Sequence, residues 1–109
     1  MRDMEDCIFC KIVDKNIPSQ IEVETTNLLV FKDINPQAEV HLLIVPKKHI
    51  ADIREDMEEY WALIGKLAVK IALDKRLKSF RLVHNAGDGA AVKHMHVHLL
   101  GEVSKDREL

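Results

Sequence analysis

Three histidines occupy alternate positions near the end of the chain, within the segment KHMHVHLL at residues 93–100. On a β-strand, His94, His96 and His98 would point to the same face, about 6.6 Å apart. Their apolar neighbours would then point into the core. Solvated strand faces normally carry lysine, threonine and glutamate, so a row of three imidazoles indicates chemistry rather than a polar surface.

Two kinds of chemistry could use such a row. His94 and His98 would lie about 13 Å apart along a strand. An imidazole binds a metal at most about 6.5 Å from its Cα, so one ion shared by all three histidines is a poor geometric fit. Imidazole is also a nucleophile and a proton carrier near neutral pH. One histidine could attack a phosphorus atom while a neighbour two residues away binds a phosphate oxygen or protonates the leaving group.

The elements that must position these residues follow from the apolar periodicity. Two groups of β-rich runs flank one long helical pattern, and a short helical pattern precedes them. This order predicts an α+β domain with a five-stranded, mainly antiparallel sheet. The strands are expected in IEVE, NLLVFKDI, HLLIVP, SFRLVHN and KHMHVHLLGEV, and the short helix in CIFCKIVDKN.

The long helix is expected between Asp52 and about Lys75. Asp52 and Glu55 have the spacing of a capping box, and basic residues collect at the far end, as the helix dipole prefers. Apolar residues recur at steps of three or four, which defines one buried face. That face is expected to contain Ile53, Met57, Tyr60, Ile64, Leu67 and Ile71.

The bulk composition is that of one small globular domain spanning residues 1–109. The chain is 47% hydrophobic and 31% charged, with a net charge of −2 and interleaved signs. This balance predicts neither a nucleic-acid partner nor a membrane partner. The charged start MRDMEDC is followed by no apolar segment of the kind that a secretory signal contains. We therefore expect a cytoplasmic protein.

Several blocks of the sequence resemble a known family. HMHVHLL is similar to the His-x-His-x-His-x-x motif, with apolar x, of the histidine triad superfamily. IFCKI, IPSQIEVE, LLVFKDINPQAEVHLLIVPKKHI and RLVHNAG resemble, in order, blocks of its Hint-like branch of nucleotide-binding hydrolases, and cover most of the chain up to Leu100. The resemblance implies a HIT-like fold and a homodimer in which two five-stranded sheets join into ten strands.

The resemblance also implies an activity, the hydrolysis of purine nucleoside phosphoramidates and related phosphoanhydride or acyl conjugates. The reaction would pass through a covalent nucleotidyl-histidine. By position, His96 would be the nucleophile, and His98 would contact the phosphate and assist the leaving group. His94 would orient His96 through its backbone carbonyl, and His41 would complete the site from a neighbouring strand.

Further residues match the nucleotide contacts of that family. Asp33 would bind the ribose hydroxyls and Asn85 the phosphate or the nucleoside. The glycine-rich loop NAGDGAA could add backbone N–H donors, at Gly89 and Ala91. For the apolar residues, packing in the core is the alternative to base binding. The apolar slot for the base would consist of Ile8, Phe9, Ile12, Phe31 and Ile34.

One segment departs from the pattern of the family. The loop NAGDGAAVKH is about two residues shorter than in relatives, and Ala90 and Ala91 stand where polar side chains are usual. We expect slower catalysis or a different leaving group. There are two alternatives to the enzyme. The altered loop is compatible with a nucleotide-binding regulatory module with little turnover, and the other alternative is a zinc-dependent structural or regulatory protein whose histidines serve the metal.

The cysteines form a C-x-x-C pair, CIFC. Two buried small apolar residues are one interpretation, and a redox pair would require a thioredoxin-like βαβ context that the pattern lacks. The resemblance instead implies a structural zinc site, with Cys7, Cys10, His49 and His94 as ligands. His84 is assigned no role, and Trp61 is expected in the core or in a dimer interface.

Overall fold

Alternating side chains of the strands build two separate cores, one on each face of a five-stranded sheet. The computed structural model describes residues 6–108. Within that range neither α-helix has both the length and the apolar character that a bilayer span requires. The helices and strands are α1 (Ile8–Val13), β1 (Ile21–Glu24), β2 (Leu28–Lys32), β3 (Val40–Pro46), a 3-10 turn (Ile53–Glu55), α2 (Tyr60–Asp74), β4 (Phe80–His84), a second 3-10 turn (Gly87–Gly89) and β5 (Val97–Gly101).

The strands follow the order β1-β2-β3-β5-β4, and all neighbours are antiparallel. The predicted α+β fold is therefore confirmed, with β3 at the centre of the sheet. Apart from His41, its side chains are apolar on both faces, because both faces are covered. In the β3–β5 register His41 pairs with Leu100 and Leu43 pairs with His98, so the two histidines are diagonal neighbours on one face.

The larger core lies between the sheet and α2. Met95, Val97 and Leu99, which alternate with the histidines, are fully buried in it, as the period-two pattern predicted. The smaller core lies on the opposite face, under α1, where the histidines are found. The α2 side chains in the larger core are Tyr60, Ile64, Ala68 and Ile71.

The long helix begins later than predicted, at Tyr60 instead of Asp52. Asp52 caps only the 3-10 turn that follows it. The carboxylate of Asp56 accepts a hydrogen bond from the Tyr60 N–H at 2.8 Å and so caps the true helix start. Glu59 has a left-handed backbone (φ 60°), which separates the two helical segments. The two predicted core residues upstream of the helix are exposed: Ile53 and Met57.

Candidate functional site

The three histidines of the row lie at the entry of β5, on the face of the sheet that carries α1. Strand β5 begins at Val97, so His94 and His96 stand just before its first residue. Their rings follow one another under Phe9, which makes edge contacts with both. The His96 and His98 ring centroids are 5.1 Å apart. The chain thus places the three side chains on one face, with the middle ring against both Phe9 and His98.

The ring of His96 has a defined tautomer. Its Nδ1 lies 2.7 Å from the backbone carbonyl oxygen of His94. Because a carbonyl can only accept, Nδ1 carries the proton and Nε2 carries the lone pair. Burial lowers the pKa of His96, with a smaller opposing effect of the His94 hydrogen bond, so the ring is neutral near pH 7. A neutral imidazole with a lone pair on Nε2 is the form that attacks an electrophile.

His98 and His41 form a second hydrogen-bonded pair. Nε2 of His41 lies 2.9 Å from Nδ1 of His98, and the Gln37 backbone N–H donates to Nδ1 of His41 at 2.9 Å. Neutral His41 therefore has its proton on Nε2, which it donates to His98. The remaining proton of His98 is then on its own Nε2. Burial, followed by the neighbouring His96 and His41, lowers the pKa of His98 to about 4.

Asp33 lies against this pair, with Oδ2 3.3 Å from Nε2 of His41. Asp33, His41 and His98 offer ligand atoms that are all within 4.8 Å of one another, as in a metal site. However, Nδ1 of His41 accepts from Gln37, so Nε2 of the neutral ring is protonated and has no lone pair for a metal. The trio is better described as a hydrogen-bonded group than as a metal site.

A second group of side chains fits a zinc ion. The four predicted ligands, Cys7, Cys10, His49 and His94, have ligand atoms within 4.8 Å of one another. The His94 Nδ1 atom lies 3.2 Å from His49 Nδ1 and 3.4 Å from Cys7 Sγ, and Cys10 Sγ lies 3.1 Å from His49 Nδ1. Tetrahedral zinc with bonds of about 2.0–2.3 Å requires ligand separations of about 3.3–3.8 Å. The group therefore has nearly the dimensions of a closed site.

His94 connects this metal group to His96. Its Nε2 lies 2.7 Å from the carbonyl oxygen of Pro46, so Nε2 is protonated and Nδ1 has the lone pair that a metal needs. The backbone carbonyl of the same residue accepts from His96. Burial, followed by the neighbouring Cys7, raises the pKa of Cys10 to about 12. Near neutral pH this thiol would therefore ionise only when a metal binds to the sulfur and stabilises the thiolate.

The predicted base slot is divided between different parts of the structure. Phe9, Ile12 and Phe31 are buried in the core under α1, where the two phenyl rings pack edge to face at 5.6 Å. Ile8 is 45% exposed and lines a pocket of about 360 Å³ beside the metal group. Ile34 is 89% exposed and lines a different pocket of about 560 Å³, together with Asp33. Packing in the core accounts for the first three residues.

The glycine-rich loop follows β4 and leads back to His94. Asn85, at its start, is half-buried, whereas Gly89 and Ala91 are exposed. The Ala90 N–H donates to the carbonyl of Gly87, and the Lys93 ammonium donates to the carbonyls of both residues. The loop is therefore held partly by its own hydrogen bonds. The three predicted contacts, Asn85, Gly89 and Ala91, lie within this one loop.

Two residues of the site were not predicted. His84, at the end of β4, is paired with Val97, a residue of the core under α2, and its Nδ1 is 2.8 Å from the backbone carbonyl oxygen of His96. Asp52, expected only as a helix cap, accepts from the Gly87 N–H at 3.1 Å. The feature of the sequence that could have identified His84 is its position near the end of a predicted strand. Trp61 is partly exposed at the start of α2, and its ring lies against His84.

Comparison with known sequences gives consistent matches. A family model described as "Scavenger mRNA decapping enzyme C-term binding" matches residues 6–108. Protein HitA of Neisseria gonorrhoeae is 38% identical over 104 residues, which cover 90% of this chain and 97% of that protein. An uncharacterized HIT-like protein of Synechocystis is 44% identical over 103 residues, covering 89% of this chain and 90% of that protein.

Solved structures match over a similar range. A HIT family hydrolase from Legionella pneumophila has a TM-score of 0.84 and 44% identity, covering 91% of this chain and 95% of that chain. A zinc-bound histidine triad family protein from Mycobacterium smegmatis has a TM-score of 0.87 and 27% identity, covering 96% of this chain and 81% of that chain. Because the family model matches residues 6–108 and proteins named for the HIT family match about 90% of the chain in sequence and in fold, this chain belongs to the histidine triad family.

Proposed function

We propose that this protein hydrolyses purine nucleoside phosphoramidates or related nucleotide conjugates through a nucleotidyl-histidine on His96. The observation that carries this proposal is the complementary pair of tautomers on neighbouring rings. His96 has a lone pair on Nε2, and His98, whose ring centroid is 5.1 Å away, has a proton on Nε2. A nucleophile and a proton donor therefore stand side by side. The similar Legionella protein is named a HIT family hydrolase.

In the first step Nε2 of His96 bonds to phosphorus, and the bond from phosphorus to the leaving group breaks. The positive charge that forms on His96 is stabilised by the His94 carbonyl that accepts from Nδ1–H. A bound phosphate adds negative charge beside His98, which favours its imidazolium form. His98 then protonates the departing amine and becomes neutral.

In the second step a water molecule attacks phosphorus and its proton passes to His98. The N–P bond breaks, the nucleotide is released, and His96 returns to the neutral tautomer. The protons balance, because His98 gives one in the first step and receives one in the second. In the free protein, neutral His98 accepts from the Nε2–H of His41 at Nδ1, which directs its other nitrogen toward the substrate. Protonation of His98 in the complex puts a proton on Nδ1 and replaces this bond.

The other residues predicted from the resemblance are assigned to the ribose, the base and the phosphate of the nucleotide. Asp33 binds the ribose hydroxyls, and the base lies near Ile34 in the pocket that these two residues share. Asn85 and the backbone N–H groups of Gly89 and Ala91 contact the phosphate from the loop. This arrangement is supported by the carboxylate of Asp33, whose Oδ2 lies 3.3 Å from Nε2 of His41 in the His41–His98 pair.

A zinc ion is proposed as a structural cofactor. Cys7, Cys10, His49 and His94 would supply all four ligands, which leaves no position for a reactive water. Bound there, zinc would cross-link α1 to the segment that precedes β5. His94 would then hold His96 from a fixed position, through the carbonyl bond described above. A zinc-bound relative of the same fold supports this assignment.

A homodimer is also proposed. Strand β4 is at the edge of the sheet, so its outer backbone groups are available to a second copy. Exposed apolar side chains on α2, among them Val69 and Leu73, offer further contact area. Sedimentation equilibrium should give twice the chain mass of 12.5 kDa. A single chain mass at micromolar concentration would contradict the dimer.

The main alternative is a nucleotide-binding module with little turnover. It is favoured by the loop, in which the N–H groups of Gly87 and Ala90 already donate within the protein. Incubation with adenosine 5′-phosphoramidate separates the two. We expect release of the nucleotide and, after an alkaline quench, a nucleotidyl adduct on the His96 peptide in mass spectra.

The matched variant His96→Ala should bind the mononucleotide but release no product. Binding without turnover in the wild-type protein would support the binding module instead. If the wild-type protein does not bind purine mononucleotides at all, both functions are wrong.

A further inference from the structure

We infer that His84 is a positioning residue for the nucleophile His96, an assignment that rests on the function proposed above. His84 is the last residue of β4 and pairs with Val97, the first residue of β5. Its ring Nδ1 donates a hydrogen bond to the carbonyl oxygen of His96 at 2.8 Å. The side chain of His84 thereby adds one more hydrogen bond beyond the last backbone pair of β4 and β5. That bond reaches His96, the residue whose position the proposed reaction depends on most.

Both ring nitrogens of His84 are used by backbone groups. The Ile53 N–H donates to Nε2 at 3.1 Å, so Nε2 has a lone pair. The carbonyl of His96 can only accept, so Nδ1 has the proton. The neutral ring with its proton on Nδ1 is the form that satisfies both bonds. His84 therefore joins the 3-10 turn Ile53–Glu55 to the backbone of the nucleophile.

His96 is consequently held on both sides of its Cα atom. Its ring donates to the carbonyl of His94, and its own carbonyl accepts from His84. Loss of the second bond allows the peptide between His96 and Val97 to rotate, and the ring moves with it. A displacement of about 1 Å at a reacting atom lowers the rate by about 10²-fold, so this bond affects turnover more than binding.

The same 3-10 turn also holds the loop proposed to contact phosphate. Asp52, only 2% exposed, caps the turn and accepts from the Gly87 N–H at 3.1 Å. Both carboxylate oxygens also accept from the Arg54 guanidinium, at 2.9 and 2.7 Å. These bonds hold the pKa of Asp52 well below its usual range, so the carboxylate stays charged. One turn thus fixes the position of the loop relative to His96.

The test compares three variants of His84. His84→Leu removes both hydrogen bonds and should lower kcat by about tenfold to a hundredfold with KM changed by less than about threefold. His84→Asn can place an amide N–H near the former Nδ1, and it should restore kcat to within about threefold of the wild-type value. His84→Gln, which reaches the Nε2 position instead, should resemble His84→Leu. Leu67→Ala, a partly buried residue of α2, controls for loss of stability alone.

A second readout does not depend on turnover. The ¹⁵N NMR chemical shifts of the His96 ring nitrogens should report the Nδ1–H tautomer in the wild-type protein. In His84→Gln these shifts should change, toward the average of the two neutral tautomers. Unchanged kcat and unchanged His96 shifts in all three variants would overturn the inference. If the wild-type protein has no hydrolase activity, the proposed function fails, while the NMR comparison still decides whether His84 positions His96.

Discussion

Nε2 of His41 lies 2.9 Å from Nδ1 of His98 and donates its proton to it. This bond leaves the other nitrogen of His98 as the one that faces the departing group in the proposed reaction. The His41 bond therefore decides which nitrogen of His98 does the acid chemistry, and the substrate dependence of a His98 variant tests that role.

His98→Ala should lower kcat by about 10²–10⁴-fold for an alkylamine leaving group, which departs only when protonated. The loss should be much smaller for a p-nitrophenolate leaving group, which needs no added proton. Steady-state rates on the two nucleotide conjugates measure this difference. Equal losses on both would contradict the role of His98 as the acid.

Nucleotide binding should be accompanied by proton uptake. The pKa of free His98 is about 4, so the ring is neutral at pH 7, and a bound phosphate raises that pKa. The complex therefore holds more protons than the free protein, and affinity for a mononucleotide should increase as pH falls below neutrality. Calorimetric titrations in buffers of different ionisation enthalpy measure the uptake. His98→Asn, as control, should take up fewer protons, and identical heats in all buffers would refute the coupling.

Zinc should be lost from Cys7→Ser and retained in His41→Asn. Cys7 belongs to the four-residue group, whereas His41 lies on β3 outside it. Elemental analysis of protein purified without chelator should give about one zinc ion per wild-type chain and nearly none in Cys7→Ser. We also expect a lower Tm in that variant, because metal binding contributes to folding free energy. Full zinc content in Cys7→Ser would exclude the proposed ligand set.

The free energy of unfolding should fall on mild acidification. The pKa values of His41 and His98 are below their ordinary value of 6.5 in the folded protein, mainly because of burial, and that of His98 is about 4. Between about pH 6.5 and 4 the unfolded chain therefore binds more protons, and stability decreases as pH falls. His98 contributes up to about 1.4 kcal/mol per pH unit in that window. The lowered pKa of His41 adds to the slope in the same direction below pH 6.5.

Urea unfolding at pH 7.5, 6.0 and 5.0 measures this slope. The His98→Asn variant should show a shallower slope than the wild-type protein, and the difference between the two removes any contribution from metal loss. Parallel curves for both proteins would show that His98 does not titrate as expected.

The parts of the fold that were predictable depend on local periodicity. The alternation around His94, His96 and His98 placed three apolar neighbours in the core, and the structure confirms that burial. The start of α2 was not predictable in this way. Asp52 and Asp56 are both suitable caps, and the extended backbone at Asp56 and the left-handed backbone at Glu59 separate the turn from the helix.

The features of the site that local sequence patterns did not predict depend on long-range contacts. The bond between His84 and His96 depends on the pairing of β4 with β5, which a linear pattern does not specify. Ile34 lies beyond the end of β2, where the strand period no longer determines direction, and its side chain faces a different pocket from Ile8. The zinc ligands were proposed from a family resemblance, because nothing local relates His49 to the cysteine pair.

The central position of β3 has a dynamic consequence. This strand is hydrogen-bonded on both sides, to β2 and β5, and its residues Ile44 and Val45 are fully buried. Its amides should therefore exchange with deuterium only through global unfolding. His41 stands on that strand and His98 on its neighbour. His41 and His98 thus lie on backbone that we expect to exchange most slowly, whereas the proposed nucleophile His96 precedes β5 and depends on the hydrogen bonds of its own ring and carbonyl for its position.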